Sequence, residues 1–249
     1  MPPAVIIPTY NESDNIPNLL NQILNLAIGA YVIVVDDNSP DGTGQLVDEF
    51  AQRDSRVQCV HRPGKLGLGT AHIAGMHRAL NLDFDPIVSM DADFSHHPSY
   101  IPNLIEGLAR SDVMIGSRYV SGGGMQGRDT KLRLVSWGAN FFARTMLNLQ
   151  AHDCTSGFRA YRRAVLESIN LDSVFSNGYS FLIEMLYLCQ DRGWRIGETP
   201  IVYEDRRAGT SKISRAEIYK ATYTVMRLTY RRVRNAKNLL LNRVDPTTK

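Results

Sequence analysis

The sequence predicts an α/β protein built on a doubly wound, mainly parallel sheet, with amphipathic helices added towards its C-terminus. Three observations carry that prediction. Short runs of β-branched and apolar residues recur through the first half of the chain, each followed by a stretch of helical periodicity. The run at 31–35 is continuous, apolar and β-branched, as expected of a strand covered on both faces. Polar clusters stand directly after three of them, where ligands sit in open α/β sheets.

In chain order, a strand is expected at residues 4–7, closed by Pro8-Thr9-Tyr10-Asn11-Glu12. A helix follows, with Ile16, Leu19, Leu20, Ile23 and Leu24 on one face. Strands at 31–35, 57–61, 86–90 and 113–119 then alternate with helices at 46–52, 69–80 and 99–109. Past residue 120 the rhythm changes. Gly122-Gly123-Gly124 breaks the chain, and 131–149 reads as an amphipathic helix carrying Leu134, Val135, Trp137, Phe141, Phe142 and Leu147. A short strand at 158–161, a helix at 179–190, a strand at 196–203 and a long basic helix at 216–241 complete the pattern. Residues 1–212 are thus expected to form one body, with 122–150 an interfacial helix insert and 213–249 a basic C-terminal helix.

Apolar residues make up 43% of the 249 and charged residues 21%, which suffices for a sizeable core. Cys59, Cys154 and Cys189 are odd in number, scattered and without metal-ligand spacing, so they read as reduced, packed thiols. No signal peptide is expected, because the N-terminus enters a strand without a charged leader. The longest uncharged stretch, residues 15–35, is interrupted by Pro17, Asn18, Asn21, Gln22, Asn25 and Gly29, so a spanning helix is not expected either. The net charge of +3 conceals an asymmetry: residues 206–249 carry 12 Lys and Arg against two acids, and the first 205 carry 16 basic residues against 23 acids. An acidic body with a basic tail suits a polyanionic partner such as phosphate, anionic lipid or nucleic acid.

Asp91-Ala92-Asp93 follows the strand-like Ile87-Val88-Ser89-Met90. Carboxylates two residues apart diverge on an extended chain, but a turn at a strand end can converge them. Hard cations, Mg²⁺ or Mn²⁺, take such oxygen ligands and share them with substrate phosphates, and a diphosphate leaving group needs its developing charge neutralised. Two acids at a strand end can equally cap the next helix, and so short a motif is ambiguous by itself. Its placement beside two other loops favours the site. Asp36-Asp37 closes the second strand ahead of Asn38-Ser39-Pro40-Asp41-Gly42-Thr43. Turn chemistry accounts for Ser39 to Gly42 but not for two adjacent, mutually repelling acids; a carboxylate there can accept from a base or ribose hydroxyl. In the first loop, Tyr10 could stack on a base and Glu12 accept from a nucleotide, while Asn11, Glu12, Ser13 and Asp14 also suit a helix N-terminus.

Gly64-Lys65-Leu66-Gly67-Leu68-Gly69 lacks the full order of either glycine-rich phosphate motif, with His72 where a third glycine belongs, and reads as a loop closing over a nucleotide or as a plain turn. His96-His97 ahead of Pro98 suits capping or hydrogen bonding better than ligation. Among the basic residues, Arg206, Arg207 and Lys212 lie in a glycine-containing loop after the 196–203 strand, and Arg118 and Arg206 stand at loop positions facing the site, where guanidinium forks suit phosphates. Arg231, Arg232, Arg234 and Lys237 read individually as a solvated face.

Taken in order, Pro8-Thr9-Tyr10-Asn11-Glu12, Val35 to Thr43, Gly67-Leu68-Gly69-Thr70-Ala71, Met90 to Pro98 and Gly116-Ser117-Arg118-Tyr119 resemble the inverting family 2 glycosyltransferases, and more narrowly the dolichol-phosphate (polyprenol-phosphate) mannosyltransferases. The resemblance runs over residues 4–212. It implies a GT-A-like, nucleotide-diphospho-sugar transferase fold, GDP-mannose as donor, a polyprenyl (dolichyl-type) monophosphate as acceptor, and a divalent cation. Pro8, Tyr10, Glu12, Val35 and Asp37 resemble the guanosine-binding residues, and Asp91, Ala92 and Asp93 those that bind diphosphate and metal. Arg118, Arg206 and Lys212 resemble the basic residues around the phosphates and, with Asp93, carry the expected catalytic roles. Some members place Gln two residues beyond the second Asp as a further metal-site group; Ser95 stands here.

An acceptor phosphate with a second pKa near ~6 is largely ionised at neutral pH and needs no strong general base. That fits the lack of a recognisable catalytic histidine. Access to a lipid would be peripheral, on the cytoplasmic face: the helices at 131–149 and after Arg215 have the make-up of interfacial helices, which for the first equally suits packing on the sheet with a cationic outer face and for the last favours the membrane; a membrane-anchored partner subunit is a second route. Three rival readings are another donor such as UDP-glucose, a nucleic-acid-binding protein, and a non-catalytic nucleotide sensor. The carboxylate-rich rim would repel a nucleic-acid backbone, so no nucleic-acid partner is expected.

Overall fold

A computed structural model describes residues 1–127, 130–204 and 215–244. The chain runs β1 (Ala4–Thr9), α1 (Ile16–Leu24), β2 (Tyr31–Asp36), α2 (Thr43–Arg53), β3 (Val57–His61), α3 (Leu68–Asn81), β4 (Ile87–Ser89), α4 (Ile101–Gly107) and β5 (Val113–Ser117). It continues through β6 (Gly124–Gln126), α5 (Thr130–Leu147), β7 (Arg159–Tyr161), α6 (Arg163–Glu167), α7 (Tyr179–Asp191), β8 (Ile196–Pro200), β9 (Val202–Glu204) and α8 (Arg215–Val244). Seven strands form one sheet in the order β3-β2-β1-β4-β7-β5-β8. It is α/β and mainly parallel, as the sequence predicts; β7 runs antiparallel to both β4 and β5.

Alternation along the strands builds two cores. Ala4, Ile6, Ile33, Val35 and Ile87 face one layer, and Val5, Ile7, Val32, Val34 and Val88 the other. Met76 of α3 and Phe181 and Leu186 of α7 cover the first face. Leu20 of α1, Val47 of α2 and Leu104 of α4 cover the second. Both faces are sealed, which is why the strands read as continuous apolar runs.

Close packing then sets the height of α3. A Cβ at Gly75 would lie 2.3 Å from Ile6 Cγ2, so this helix approaches β1 more closely than any larger residue allows. That approach holds the N-terminus of α3, and the Gly64–Gly67 loop before it, over the carboxyl ends of β1 and β2.

One element differs from the sequence reading. The strand expected at 196–203 is broken at Ile201 into β8 and β9, and β9 pairs in parallel with β6, so the triple glycine leads into a short ribbon. In α8, Val225 and Leu228 are buried in the main core and the helix packs on α5 and α7.

His72 of α3 makes a testable liability. It is fully buried, stacks on Phe181 at 5.5 Å, and neither ring nitrogen has a hydrogen-bond partner. Burial first, then the Arg159 and His96 charges, push its pKa down to about 3. The unfolded imidazole titrates near ~6.5, so as pH falls below that value the unfolded chain takes up the proton and the native chain does not. Stability is therefore lost between about pH 6.5 and about pH 3. Urea titrations should show a loss of about 2 kcal/mol from this group between about pH 7 and about pH 5, which His72→Leu removes.

Candidate active site

The site grows from three post-strand loops that satisfy one another. After β1, the backbone N–H groups of Asn11, Glu12 and Ser13 donate to Ser39 Oγ, Thr43 Oγ1 and Asp41 Oδ2 of the second loop, each at 3.0 Å. The N-cap of α1, Asn15, makes no side-chain capping bond, so the second loop supplies the acceptors the sequence assigned to local capping. Asp41 also accepts from Thr43 N–H and hydroxyl. Burial opposes its charge, but these hydrogen bonds outweigh it and hold the carboxyl below its ordinary range.

The adjacent acids Asp36 and Asp37 have separate tasks. Asp36 is buried and accepts from the Thr9 hydroxyl at 2.9 Å, Ser39 N–H at 2.9 Å and the Ser39 hydroxyl. Asp37 turns to the glycine loop, accepting from Arg62 Nη1 at 2.6 Å and from the backbones of Leu66 and Gly67 at 3.1 and 3.3 Å. Lys65 from that loop sits 4.0 Å over the Tyr10 ring. Gly67 has φ +103°, and a Cβ there would meet Asn177 Nδ2 at 2.3 Å. Asn177 itself accepts from Gly69 N–H and donates to the Leu66 carbonyl. Gly67→Ala is expected to raise the donor KM about tenfold through a strain cost of about 1–3 kcal/mol in this loop, read by steady-state kinetics with an unchanged circular-dichroism spectrum.

The third loop holds Asp91 and Asp93. Asp91 N–H donates to His96 Nδ1 at 3.2 Å, and His96 stacks on Phe158 at 5.1 Å. Asp93 Oδ1 accepts from Ser95 N–H at 3.0 Å. His97 accepts from Ser99 N–H and caps the short 3₁₀ turn at Pro98–Tyr100. Both histidines therefore serve the loop's shape. A Cβ at Gly157 would come within 3.4 Å of Asp91 Oδ1, so the glycine keeps the space beside that carboxylate open. Tyr203 of β9 faces the pair: burial, then Asp93 and Asp91, push its phenol up to about 12.

Arg118 stands just past β5, buried, with Nε and Nη2 each 2.7 Å from the oxygens of fully buried Asp153. Its Nη2 also donates to Thr155, and its guanidinium carbon lies 5.5 Å from the Tyr203 ring centroid. Burial opposes both charges, yet mutual attraction and the paired hydrogen bonds raise the Arg118 pKa and hold the Asp153 carboxyl down.

A cavity of about 550 Å³ joins these parts. Pro8, Tyr10, Glu12, Asp37, Asp91, Ala92, Asp93 and Arg118 all line it. Val35 is instead fully buried inside the sheet, its carbonyl 3.5 Å from the Thr9 hydroxyl. Arg206 and Lys212 lie outside the described residues. Lys65 joins the site from the glycine loop that the sequence offered as closing over a nucleotide, whereas Asp153 and Tyr203 join the site or its support without a sequence signal beyond their residue type. Away from the carboxylates the wall becomes apolar, with Val135, Ala139 and Phe142 of α5, Leu182 and Ile183 of α7, and Val225 of α8.

Asp91 and Asp93 suit a hard cation, which takes few protein carboxylates and completes its shell with phosphate oxygens and water. Among the described residues, three or more His, Cys, Asp or Glu ligands converge only at Asp48, Cys59 and His61, outside this cavity.

A mainly parallel sheet with acidic loops at its carboxyl edge, opening on such a cavity, is the architecture of a GT-A glycosyltransferase. Its fold matches glucosyl-3-phosphoglycerate synthase from Mycobacterium tuberculosis, solved with Mn²⁺, UDP and phosphoglyceric acid, with a TM-score of 0.65 at 21% identity, over 92% of this chain and 78% of that one. A mannosyltransferase from Pyrobaculum calidifontis, solved with GDP-Man and Mn²⁺, matches with a TM-score of 0.56 at 18% identity, over 84% and 58%. The Glycosyl transferase family 2 model matches residues 4–169, and the chain belongs to that family. It is 42% identical over 222 residues to the undecaprenyl-phosphate mannosyltransferase of Micrococcus luteus, covering 89% of this chain and 91% of the relative. It is equally identical over 223 residues to the polyprenol monophosphomannose synthase of Mycolicibacterium smegmatis, covering 89% and 84%.

Proposed function

We propose that this glycosyltransferase moves mannose from GDP-mannose to a polyprenyl monophosphate, with inversion, at the cytoplasmic face of a membrane. One observation carries the reading: a single cavity is carboxylate-rich at the sheet edge and apolar where α5, α7 and α8 meet, matching a charged donor at one end and an isoprenoid chain at the other. The names of the two 42% identical relatives support the same substrates.

On this reading Tyr10, Glu12 and Asp37 receive the nucleoside. Asp91 and Asp93 would hold the divalent cation, Mg²⁺ or Mn²⁺, which when bound neutralises charge on the diphosphate. Arg118, made rigid by Asp153, and Arg206 and Lys212 position the acceptor phosphate against the donor despite their mutual repulsion. An acceptor oxygen attacks the anomeric carbon, the bond from that carbon to the diphosphate breaks, and GDP leaves. Because the phosphate attacks already ionised, no side chain has to remove a proton.

Membrane contact is assigned to α5 and α8. Trp137 and Phe141 are exposed and stacked at 5.6 Å on α5. Tyr219, Tyr223, Met226, Tyr230 and Val233 form an exposed stripe at helical spacing on α8, flanked by exposed Arg231 and Arg234. Among the described residues no helix is long and apolar enough to cross a membrane. We retain residues 1–212 as the catalytic body, 122–150 as its interfacial insert and 213–249 as the basic helix, with a membrane-anchored partner as a further means of recruitment.

The deciding experiment is a donor panel of GDP-mannose, GDP-glucose and UDP-glucose with a short polyprenyl phosphate and Mg²⁺ or Mn²⁺. Labelled mannose in the lipid extract, from GDP-mannose alone, is the expected result. Transfer only from another donor, or only to water-soluble acceptors, overturns the reading.

A further inference from the structure

The outer edge of the sheet carries a second group of ligating side chains, remote in kind from the carboxylates of the active site. β3 is the terminal strand, paired only with β2 in the sheet. Cys59 and His61 alternate with one residue between them, so both point to the face on which α2 packs. Asp48 comes from that helix. His61 Nε2 lies 3.0 Å from both carboxylate oxygens of Asp48, and Cys59 Sγ lies 3.9 Å from His61 Nδ1. One ligand atom from each of the three residues falls within 4.8 Å of the others. The imidazole has a niche: a Cβ at Gly44 would come 3.0 Å from its Cε1, so the glycine in the first turn of α2 leaves room for the ring. The side chains of His61 and Asp48 are 52% and 48% exposed and Cys59 is half-buried, so an ion can enter from solvent.

We propose that Asp48, Cys59 and His61 form a second metal site, selective for a thiophilic divalent ion of the Zn²⁺ class, which ties α2 to the edge of the sheet. The ligand chemistry carries the selectivity. Thiolate and imidazole suit Zn²⁺, whose sites are tetrahedral with Cys, His and carboxylate ligands, whereas Mg²⁺ and Mn²⁺ prefer oxygen. Three protein ligands leave one position for water. Asp48 meets His61 Nε2 and Cys59 meets Nδ1, so one of the two ring nitrogens serves as the ligand, and side-chain rotation draws three ligand atoms already within 4.8 Å of one another into a coordination sphere.

Binding forms a metal–sulfur bond as the Sγ–H bond breaks and its proton passes to solvent. The other two cysteines are buried, Cys154 and Cys189 both at 0% exposure, which makes Cys59 the accessible reporter.

The test uses the full chain, stripped with chelator and kept in excess Mg²⁺ so that oxygen-ligand sites are filled. Co²⁺ titration should give one equivalent of thiolate-to-cobalt charge-transfer absorption, displaced by Zn²⁺ and abolished by Cys59→Ser. His61→Ala retains the thiol and should weaken Co²⁺ binding by about tenfold or more. In the unsubstituted protein, Zn²⁺ should slow alkylation of Cys59, located by peptide mapping. Absence of the charge-transfer band, its persistence in Cys59→Ser, or an alkylation rate indifferent to Zn²⁺ overturns the site. None of these readouts depends on sugar transfer.

Discussion

Replacement of Asp93 by asparagine is expected to lower kcat for sugar transfer by about a thousandfold while leaving the melting transition nearly unchanged. The two effects separate because of what the side chain does in the fold. Asp93 is 8% exposed, and its Oδ1 accepts the Ser95 N–H that shapes the loop. An asparagine oxygen can accept the same bond, so the loop is retained. What disappears is one of the two negative charges that suit the pair to a divalent cation and, through it, to a departing diphosphate. Asp93→Ala should lose the same activity and some loop order as well. Turnover with labelled donor, measured across a Mn²⁺ titration and beside a thermal melt, tests this. An undiminished rate removes Asp93 from the reaction.

The second large effect concerns the pair behind the rim. Asp153→Ala should destabilise the protein by about 3–5 kcal/mol, since it leaves the Arg118 guanidinium buried without its counter-charge. The pH dependence follows in sign. The Asp153 carboxyl titrates lower in the folded chain than in the unfolded one, so its contribution is present above the ordinary carboxylate range, near ~4, and is lost as pH falls below it. Structural and catalytic roles can be separated by replacing both residues, as Arg118→Met with Asp153→Leu. Buried ion pairs exchanged for apolar residues of similar volume are often neutral for stability, so the double variant should regain most of the lost stability and no activity. If the double variant transfers sugar at the parental rate, Arg118 has no part in handling the phosphates. Denaturant titration and the transfer assay supply both readings.

Legibility differed along the chain for definable reasons. The strand at 31–35 and the helix at Ile16 to Leu24 could be read directly, because burial on both sheet faces writes a continuous apolar run and burial of one helix face a single stripe. The three polar loops were legible for the same reason: a carboxylate cluster directly after a buried strand has few structural explanations. Their division of labour was not. Nothing local distinguishes Asp36, which holds Thr9 and Ser39, from Asp37, which holds Arg62 and the glycine loop. Nor does spacing reveal that Asp153 reaches back 35 residues to Arg118.

The amino-acid order by itself determined the layer architecture, the three loops at the carboxyl edge and the Asp91-Ala92-Asp93 motif, since these depend on hydrophobic period and on residues adjacent in the chain. Tertiary structure alone decided how β7 enters the sheet antiparallel, how α5, α7 and α8 close an apolar wall around the carboxylates, and how Tyr203 comes to face them. It also decided that Cys59 and His61 meet Asp48, although the cysteines had read as packed thiols without ligand spacing. The physical reason is common to all of them. Such contacts are made between elements distant in sequence, where packing sets geometry, and local periodicity carries no record of the partner.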